Sequence, residues 1–393
     1  MTRDLAIAAE LRRREPSLEI LWFAGPPASG YLRASGERLV EEAAHHADDT
    51  GYAERIAGEF GANIARYTIS ATLAWARDGL LALRAARTHR CDLVLGDEAY
   101  ELAILLSLLP RRLRPPFVNI YDFLGLDAAS DGLGEPALVS IYNLVWAFCN
   151  RRLKAGEAMR SLFVGEPEDI PQRALGPLLP NRRREAERYY RFVGYVLPFD
   201  AGQQDRSRLR AELGYGEEPL VVASVGGAAV GRGLLELCGQ AFPLMRRSVP
   251  ALRMVLVCGP RIDPAGLRVP DAVERRGLVP DLYKHFAASD LAVVQGGGTT
   301  TLELTALRRP FIYFPLEGHC EQEIVVAARL ARHGAGLKMR YSETDAARLA
   351  EAALRWMATT PSYPAPAMNG ATAAAEAVLA ALHRASGWAS RVT

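Results

Sequence analysis

The chain has 393 residues, which at roughly 150 residues per domain suggests two or three domains. It is 49% hydrophobic and 23% charged, an ordinary globular balance. Lys+Arg is 47 against Asp+Glu 45, a net charge of +2, which excludes a general nucleic-acid binder whose basic excess would show in the sum. The chain opens on MTRDLAIAAELRRR, a charged amphipathic helix without the apolar core of a signal peptide. Short runs rich in Val, Leu and Ile follow as strand candidates: Glu19–Ala24, Asp92–Gly96, Phe117–Tyr121 and Ser161–Val164. A linker is expected near Leu197–Asp205, where apolar pattern gives way to Pro, Gly and polar residues within RFVGYVLPFDAGQQD. The second half offers strands at Leu220–Val225, Arg253–Cys258, Leu291–Gln295 and Phe311–Phe314, then a loop at Pro361–Gly370 and a terminal helix Ala371–Arg384.

Continuous apolar runs separated by helices indicate parallel strands buried on both faces, hence α/β architecture. We expect two doubly wound Rossmann-like domains, residues 1–198 and 206–393, facing a cleft. Ligands of such sheets sit beyond the carboxyl ends of the strands. Five cysteines (Cys91, Cys149, Cys238, Cys258 and Cys320) lie far apart without CxxC spacing, which argues against a disulfide framework or zinc site. A reducing, cytoplasmic location is expected. The longest apolar runs, Leu102–Leu109 and Leu144–Phe148, fall well short of the ~20 residues of a membrane span.

The most informative segment is QGGGTTTLE, directly after the strand LAVVQ. Gly296, Gly297 and Gly298 let a ligand approach the backbone. Thr299 and Thr300 open a helix whose free N–H groups suit a diphosphate without any lysine. Glu303, one turn on, is placed to accept both hydroxyls of a ribose; the alternative is a capped turn with a solvent-facing glutamate. A second turn, VGGAAVGRG, brings the amides of Gly226 and Gly227 but does not fit the dinucleotide fingerprint. In PLEGHCEQE, Glu321 and Gln322 have the donor and acceptor mix that reads sugar hydroxyls, or else complement a helix dipole. His319 would cap that turn or touch a phosphate. In the first half, Asp97 and Glu98 are consecutive carboxylates at a strand end, suited to general-base work or to N-capping the helix Ala99–Leu109. Asp122, after FVNIY, is a further candidate. LAILLSLLPRRLRPP (Leu102–Pro116) reads either as a core helix ending in a basic loop or as a surface for an anionic membrane.

The order GGAAVG, then RGLVPDLYKHFAASDLAVVQGGGTTTLELTALRRPFIYFPLEGHCEQE, then RHGAG resembles the C-terminal domain of GT-B glycosyltransferases, family 28 in particular. It is also similar to the UDP-glycosyltransferases. The resemblance covers roughly Pro219–Met339. It implies that Gly296–Thr300 hold the donor diphosphate and Glu303 the ribose, that Glu321 and Gln322 contact the donor sugar, and that backbone near Leu278 and Val279 meets the base. Ala228 stands where the family's first turn has serine. The implied activity is metal-independent, inverting transfer of a hexose or N-acetylhexosamine from a UDP-sugar to a small-molecule or lipid-linked acceptor, without a bound cofactor. A non-catalytic nucleotide-sugar-binding subunit and a UDP-sugar epimerase are the rival readings. Such proteins open with a strand and a Gly–His turn before the first helix. Here TRDLAIAAELRRREPSLEILWFAGP looks like the helix after that turn, so an upstream strand and turn are expected to precede Thr2. The alternative makes SGYLR (Ser29–Arg33) a degenerate turn with Tyr31 in place of the histidine.

Overall fold

The computed structural model describes residues 2–26, 28–46, 64–127, 134–154, 161–226, 230–319, 321–363, 366 and 368–385. They form two units. Among the described residues, one holds 2–46 and 65–198 together with 368–385; the other holds Ile64 and 199–366.

The first unit contains α1 (Thr2–Arg14), α2 (Ala28–Ala34), α3 (Ile64–Thr88), β1 (Val94–Asp97), α4 (Tyr100–Leu108), β2 (Phe117–Tyr121), α5 (Gly134–Lys154), β3 (Ser161–Val164), α6 (Arg182–Tyr189) and β4 (Tyr190–Gly194). Its parallel sheet runs β1-β2-β3-β4. The expected strand Glu19–Ala24 does not join it. Trp22 makes only an isolated parallel bridge to Leu39, and Ile20–Ala24 stay half-buried without a ladder on either side. Ser29–Arg33 lies inside α2, which removes the reading of SGYLR as a turn. β4 is not legible in the sequence: RFVG follows a strongly charged helix, RRREAERY, so its short apolar run reads as the start of the linker.

The second unit contains α7 (Arg206–Leu213), β5 (Leu220–Ser224), α8 (Arg232–Ser248), β6 (Arg253–Val257), β7 (Glu274–Arg276), α9 (Leu282–Ala288), β8 (Leu291–Gln295), α10 (Gly298–Ala306), β9 (Phe311–Phe314), a π-helical turn (Glu321–Val326), α11 (Ala327–His333), β10 (Leu337–Lys338) and α12 (Ala346–Met357). All strands are parallel, in the order β10-β9-β8-β5-β6-β7. β5 and β8 are central and buried throughout, as the all-apolar LVVA and LAVV require of strands covered on both faces. Leu234, Phe242, Leu349 and Ala353 of α8 and α12 pack one face. Leu209, Phe286 and Leu330 of α7, α9 and α11 pack the other. The winding reverses between β5 and β8, so the carboxyl ends of those two strands flank the switch point where ligands of such sheets bind. β7 escaped the sequence reading because an edge strand of Glu and Arg has no apolar pattern; the Arg253 guanidinium, 2.8 Å from Glu274, ties it in place.

The terminal helix α13 (Gly370–Ala385) packs on the first unit, not the second as its sequence position suggested. Its small residues Ala374, Ala375 and Ala381 let it lie close against Ile7 and Leu11 of α1 and Val193 and Val196 at the end of β4. Gly370 is obligatory at the contact, since a Cβ there would stand 2.5 Å from the Tyr195 carbonyl oxygen. An Arg14–Glu376 ion pair at 3.1 Å completes the seam.

Candidate functional site

The triglycine turn is a built feature of the second unit. Gly296 donates to the Phe314 carbonyl at 2.8 Å, and a Cβ on it would meet Pro315 Cα at 2.9 Å, so strand β9 leaves no room for a side chain. Gly297 faces open space. It is the N-cap of α10 and supplies no side-chain cap. The N–H groups of Gly298, Thr299 and Thr300 fall in the first turn, where an α-helix has no internal acceptor for them. The helix starts one residue earlier than expected. Thr301 is fully buried and bonds back to the Gly297 carbonyl at 2.9 Å, so its hydroxyl anchors the turn.

Glu303 does not face solvent. It is 7% exposed and its carboxylate makes no hydrogen bond among the described residues. Burial alone pushes its pKa up from 4.5 to about 8. Leaving a carboxylate buried and unpaired is costly, and a ligand offering hydroxyl donors would relieve that cost. Tyr283 of α9 lies within electrostatic reach of Glu303 and stacks on Phe199 at 4.0 Å between ring centroids. That aromatic pair was not singled out from sequence, because its members lie 84 positions apart. Of the two residues assigned to the base, Leu278 is 59% exposed while Val279 packs partly against the core.

The first glycine-rich turn meets the triglycine turn through Gln295. In the orientation that satisfies both contacts, its amide nitrogen donates to the Val225 and Val230 carbonyls at 2.9 and 3.0 Å. Gly226 has φ +77° and Gly231 φ +125°, both in the region that favours glycine. Gly227 and Ala228 lie outside the described residues.

The segment after β9 is wound as a π-helix, a rare geometry that recurs at functional sites. Glu321 borders α10: its Oε1 would be 3.4 Å from a Cβ on Gly298. The Arg329 guanidinium, from α11, donates to the Gly298 carbonyl at 2.9 Å and holds the turn from below. Gln322 has a structural task that sequence reasoning missed: its Oε1 accepts the Leu316 N–H at 2.9 Å, so the oxygen end of its amide is used within the loop. Glu323 closes the same loop by accepting the Gly318 N–H at 3.0 Å. His319 does not cap the turn through its ring. The ring's Nδ1 is buried without a hydrogen bond, and burial lowers its pKa, so the imidazole is neutral.

In the first unit, Asp97 and Glu98 do not cap α4, whose N-cap is Ala99 without a side-chain bond. They turn instead to Arg3 of α1. The Arg3 Nε lies 3.1 Å from Asp97 Oδ1, its Nη1 2.8 Å from Asp122 Oδ2, and its Nη2 3.5 Å from Glu98 Oε1. The corner is enforced by Asn119, buried in β2, whose Oδ1 accepts the Ala99 N–H at 3.2 Å. Only glycine fits at 96, because a Cβ would meet that Oδ1 at 2.6 Å. Glu98 itself sits at φ +52°, a left-handed conformation that non-glycine residues seldom adopt. Burial and Asp4 raise the Asp97 pKa to about 6 against the pull of Arg3. Burial and the hydrogen-bonded Asp122 raise that of Glu98 much further. Of the two carboxyls, Asp97 therefore ionises more readily and Glu98 holds its proton to higher pH. Arg3 went unnoticed in the sequence because it sits 94 positions from its partner.

Residues 274–382 match the glycosyltransferase family 28 C-terminal domain. An uncharacterized glycosyltransferase of Methanosarcina acetivorans is 32% identical over 133 residues, 32% of each chain. Another, of Methanosarcina mazei, is 23% identical over 368 residues, 87% of this chain and 82% of its own. The UDP-N-acetylglucosamine--N-acetylmuramyl-(pentapeptide) pyrophosphoryl-undecaprenol N-acetylglucosamine transferase of Carboxydothermus hydrogenoformans is 26% identical over 160 residues, 38% of this chain and 42% of its own. The first of these alignments thus spans about a third of the relative's length. Among solved structures, a kitacinnamycin glycosyltransferase superposes with TM-score 0.58 at 17% identity, covering 98% of this chain and 92% of its own. The spinosyn rhamnosyltransferase with spinosyn aglycone gives 0.56 at 17%, covering 100% and 95%. The chain thus has the GT-B fold of these structures, and its residues 274–382 match the glycosyltransferase family 28 C-terminal domain.

Proposed function

We propose that the chain is a glycosyltransferase that moves a hexose or N-acetylhexosamine from a UDP-sugar to an acceptor hydroxyl. The observation that carries this reading is the pairing of an uncapped helix start after the triglycine turn with a buried, unpartnered Glu303 on the same helix. The N–H groups of Gly298, Thr299 and Thr300 bind the diphosphate, and the amides near Gly226 add to them. As the sugar–phosphate bond breaks, charge grows on the leaving diphosphate, and these fixed dipoles stabilise it without a metal. Glu303 takes the ribose hydroxyls, backbone at Leu278 and Val279 the base, and Glu321 with the Gln322 amide the sugar. His319, neutral and with a free ring nitrogen, serves as an uncharged partner for a phosphate oxygen or sugar hydroxyl. Asp97, ionised and clamped by Arg3, is the base that accepts the acceptor's proton while its oxygen attacks the anomeric carbon with inversion. Uridine is favoured by resemblance and by the donor named in the Carboxydothermus relative.

A lipid-linked acceptor at a cytoplasmic membrane face is part of this reading. Among the described residues no helix is long and apolar enough to cross a membrane. α4 does bury Leu102 and Leu106, as a core helix would, yet Leu108 and Leu113 are exposed, and so are Ile141, Leu144 and Phe148 along one stripe of α5. Arg114 ties the two regions together by donating to the Arg152 carbonyl at 2.8 Å, and exposed Arg111, Arg112 and Arg151 supply the charge that anionic lipid requires.

The test is a thermal-shift panel of UDP-, TDP- and GDP-sugars followed by turnover with hydroxyl acceptors. A UDP-sugar should raise the melting temperature and Glu303→Ala should remove the effect. No shift with any nucleotide sugar would refute the proposal.

A further inference from the structure

One buried cation of the second unit has no part in the chemistry described so far. α11 carries two arginines. Arg332 is exposed, as a charged helix residue normally is, but Arg329 is 7% exposed and shares the buried side of the helix with Leu330. Its Nη2 donates at 2.9 Å to the carbonyl of Gly298, the first residue of α10. The Thr301 hydroxyl reaches the same oxygen at 3.2 Å. The point where a Gly298 Cβ would stand is 3.7 Å from that Nη2 and 3.4 Å from Glu321 Oε1. The guanidinium is therefore seated directly under the first turn, with a carboxylate sharing the space.

The carbonyl of Gly298 and the N–H of Thr299 are the two ends of one peptide group. A trans peptide points them in opposite directions. A guanidinium on the oxygen thus stands behind the hydrogen that faces the diphosphate in the function proposed above. Hydrogen bonds joined through a peptide polarise one another, and a charged donor makes the stronger bond. An arginine on the carbonyl makes the amide at the far end a better donor. Its charge also acts through space. In line, guanidinium nitrogen, peptide and phosphate oxygen span about 8 Å. Attraction between unit charges at that separation, with an effective dielectric constant of about 20, corresponds to more than roughly tenfold in affinity.

We propose that Arg329 is a positioning residue of the diphosphate site: its positive charge, relayed through the Gly298–Thr299 peptide, fixes the helix start and strengthens its hold on the donor's diphosphate without touching it. This rests on the reading of α10 as the diphosphate site. The only lysines of the chain are Lys154, Lys284 and Lys338, none of them in QGGGTTTLE or PLEGHCEQE. The cation that a lysine commonly brings to a phosphate is supplied here from behind the backbone. Charge on the leaving diphosphate grows as the sugar–phosphate bond breaks, so the same cation favours the transition state over the bound donor.

The test is calorimetric titration of the full chain with UDP between pH 8 and 10, for the parent, Arg329→Lys and Arg329→Met, beside melting curves of each. Arg329→Met should bind UDP roughly tenfold or more weakly at every pH. It should bind uridine, which has no phosphate, as the parent does, read from amide chemical shifts. Arg329→Lys should stay within about threefold of the parent at pH 8 and fall away from it toward pH 10, because a buried lysine gives up its proton in that range and arginine does not. Groups common to both proteins, Glu303 and Glu321 among them, cancel in that ratio. A brace that acts by hydrogen bonding alone predicts a ratio independent of pH, since a neutral lysine amine still donates. That result, unchanged UDP affinity in Arg329→Met, or equal loss of UDP and uridine would overturn the role of Arg329 while the diphosphate site stands. A parent that binds neither UDP nor any nucleotide sugar would instead refute the reading of α10, and the role of Arg329 with it.

Discussion

Nucleotide binding should expel a proton from Glu303. With its pKa pushed up to about 8 by burial, the carboxyl of the free protein is about nine-tenths protonated at pH 7. Ribose hydroxyls donate to the ionised form, so the bound state holds a carboxylate. Calorimetry at pH 7 in two buffers of different ionisation enthalpy should therefore show about 0.9 proton released per UDP. Affinity should rise up to roughly tenfold between pH 7 and 9, because above the free-state pKa no proton has to leave. Glu303→Gln should bind without proton release and more weakly, since hydrogen bonds to a charged group contribute about 1.5–3 kcal/mol each. The sign reverses for stability. The folded carboxyl titrates above the unfolded one, so the stability it contributes is lost as pH rises from about 4.5 to about 8. At pH 9 the ligand-free Glu303→Gln variant should thus be the more stable protein, by an amount on the order of a few kcal/mol. No buffer dependence, pH-independent affinity and equal binding by the variant would together refute the reasoning.

Other outcomes rest on the same geometry. Gly296→Ala should lower the melting temperature and abolish nucleotide binding, because its Cβ would press on Pro315 at 2.9 Å; unchanged binding would show that the turn tolerates distortion. Arg3→Gln should shift the acid limb of the pH–rate profile upward, since Asp97 loses the cation that favours its ionised form, while Asp97→Asn should cost roughly 10²–10⁴ in kcat. Gln322→Ala should change donor sugar preference and also loosen the loop it closes at Leu316, read as a KM change together with a lower melting point. Leu144→Glu with Phe148→Glu should abolish flotation with anionic liposomes and leave nucleotide binding intact; retention by the double variant would remove α5 from any membrane surface.

The legible parts of the chain were those whose information is local. LAVVQ and FIYF announce central strands by being apolar throughout, and QGGGTTTLE announces its turn by three glycines and its helix by the threonines after them. The unread parts depend on partners distant in sequence. EILWFA has the composition of a strand but no neighbour to pair with among the described residues, leaving Trp22 a single bridge. The terminal helix joins the first unit because alanines at 374, 375 and 381 fit α1, a match that no local pattern discloses. At the site, residue types were readable but tasks were not. Gln322 spends half its amide on the Leu316 N–H, and Asp97 and Glu98 meet Arg3 instead of the helix they precede.

Diphosphate binding as proposed rests on the amides of one helix start, and they can be observed directly. Amide ¹H–¹⁵N spectra of the chain, recorded during addition of UDP, should show the Gly298, Thr299 and Thr300 resonances moving downfield together as new hydrogen bonds form to phosphate oxygens. Saturable binding that leaves those three resonances in place would contradict it.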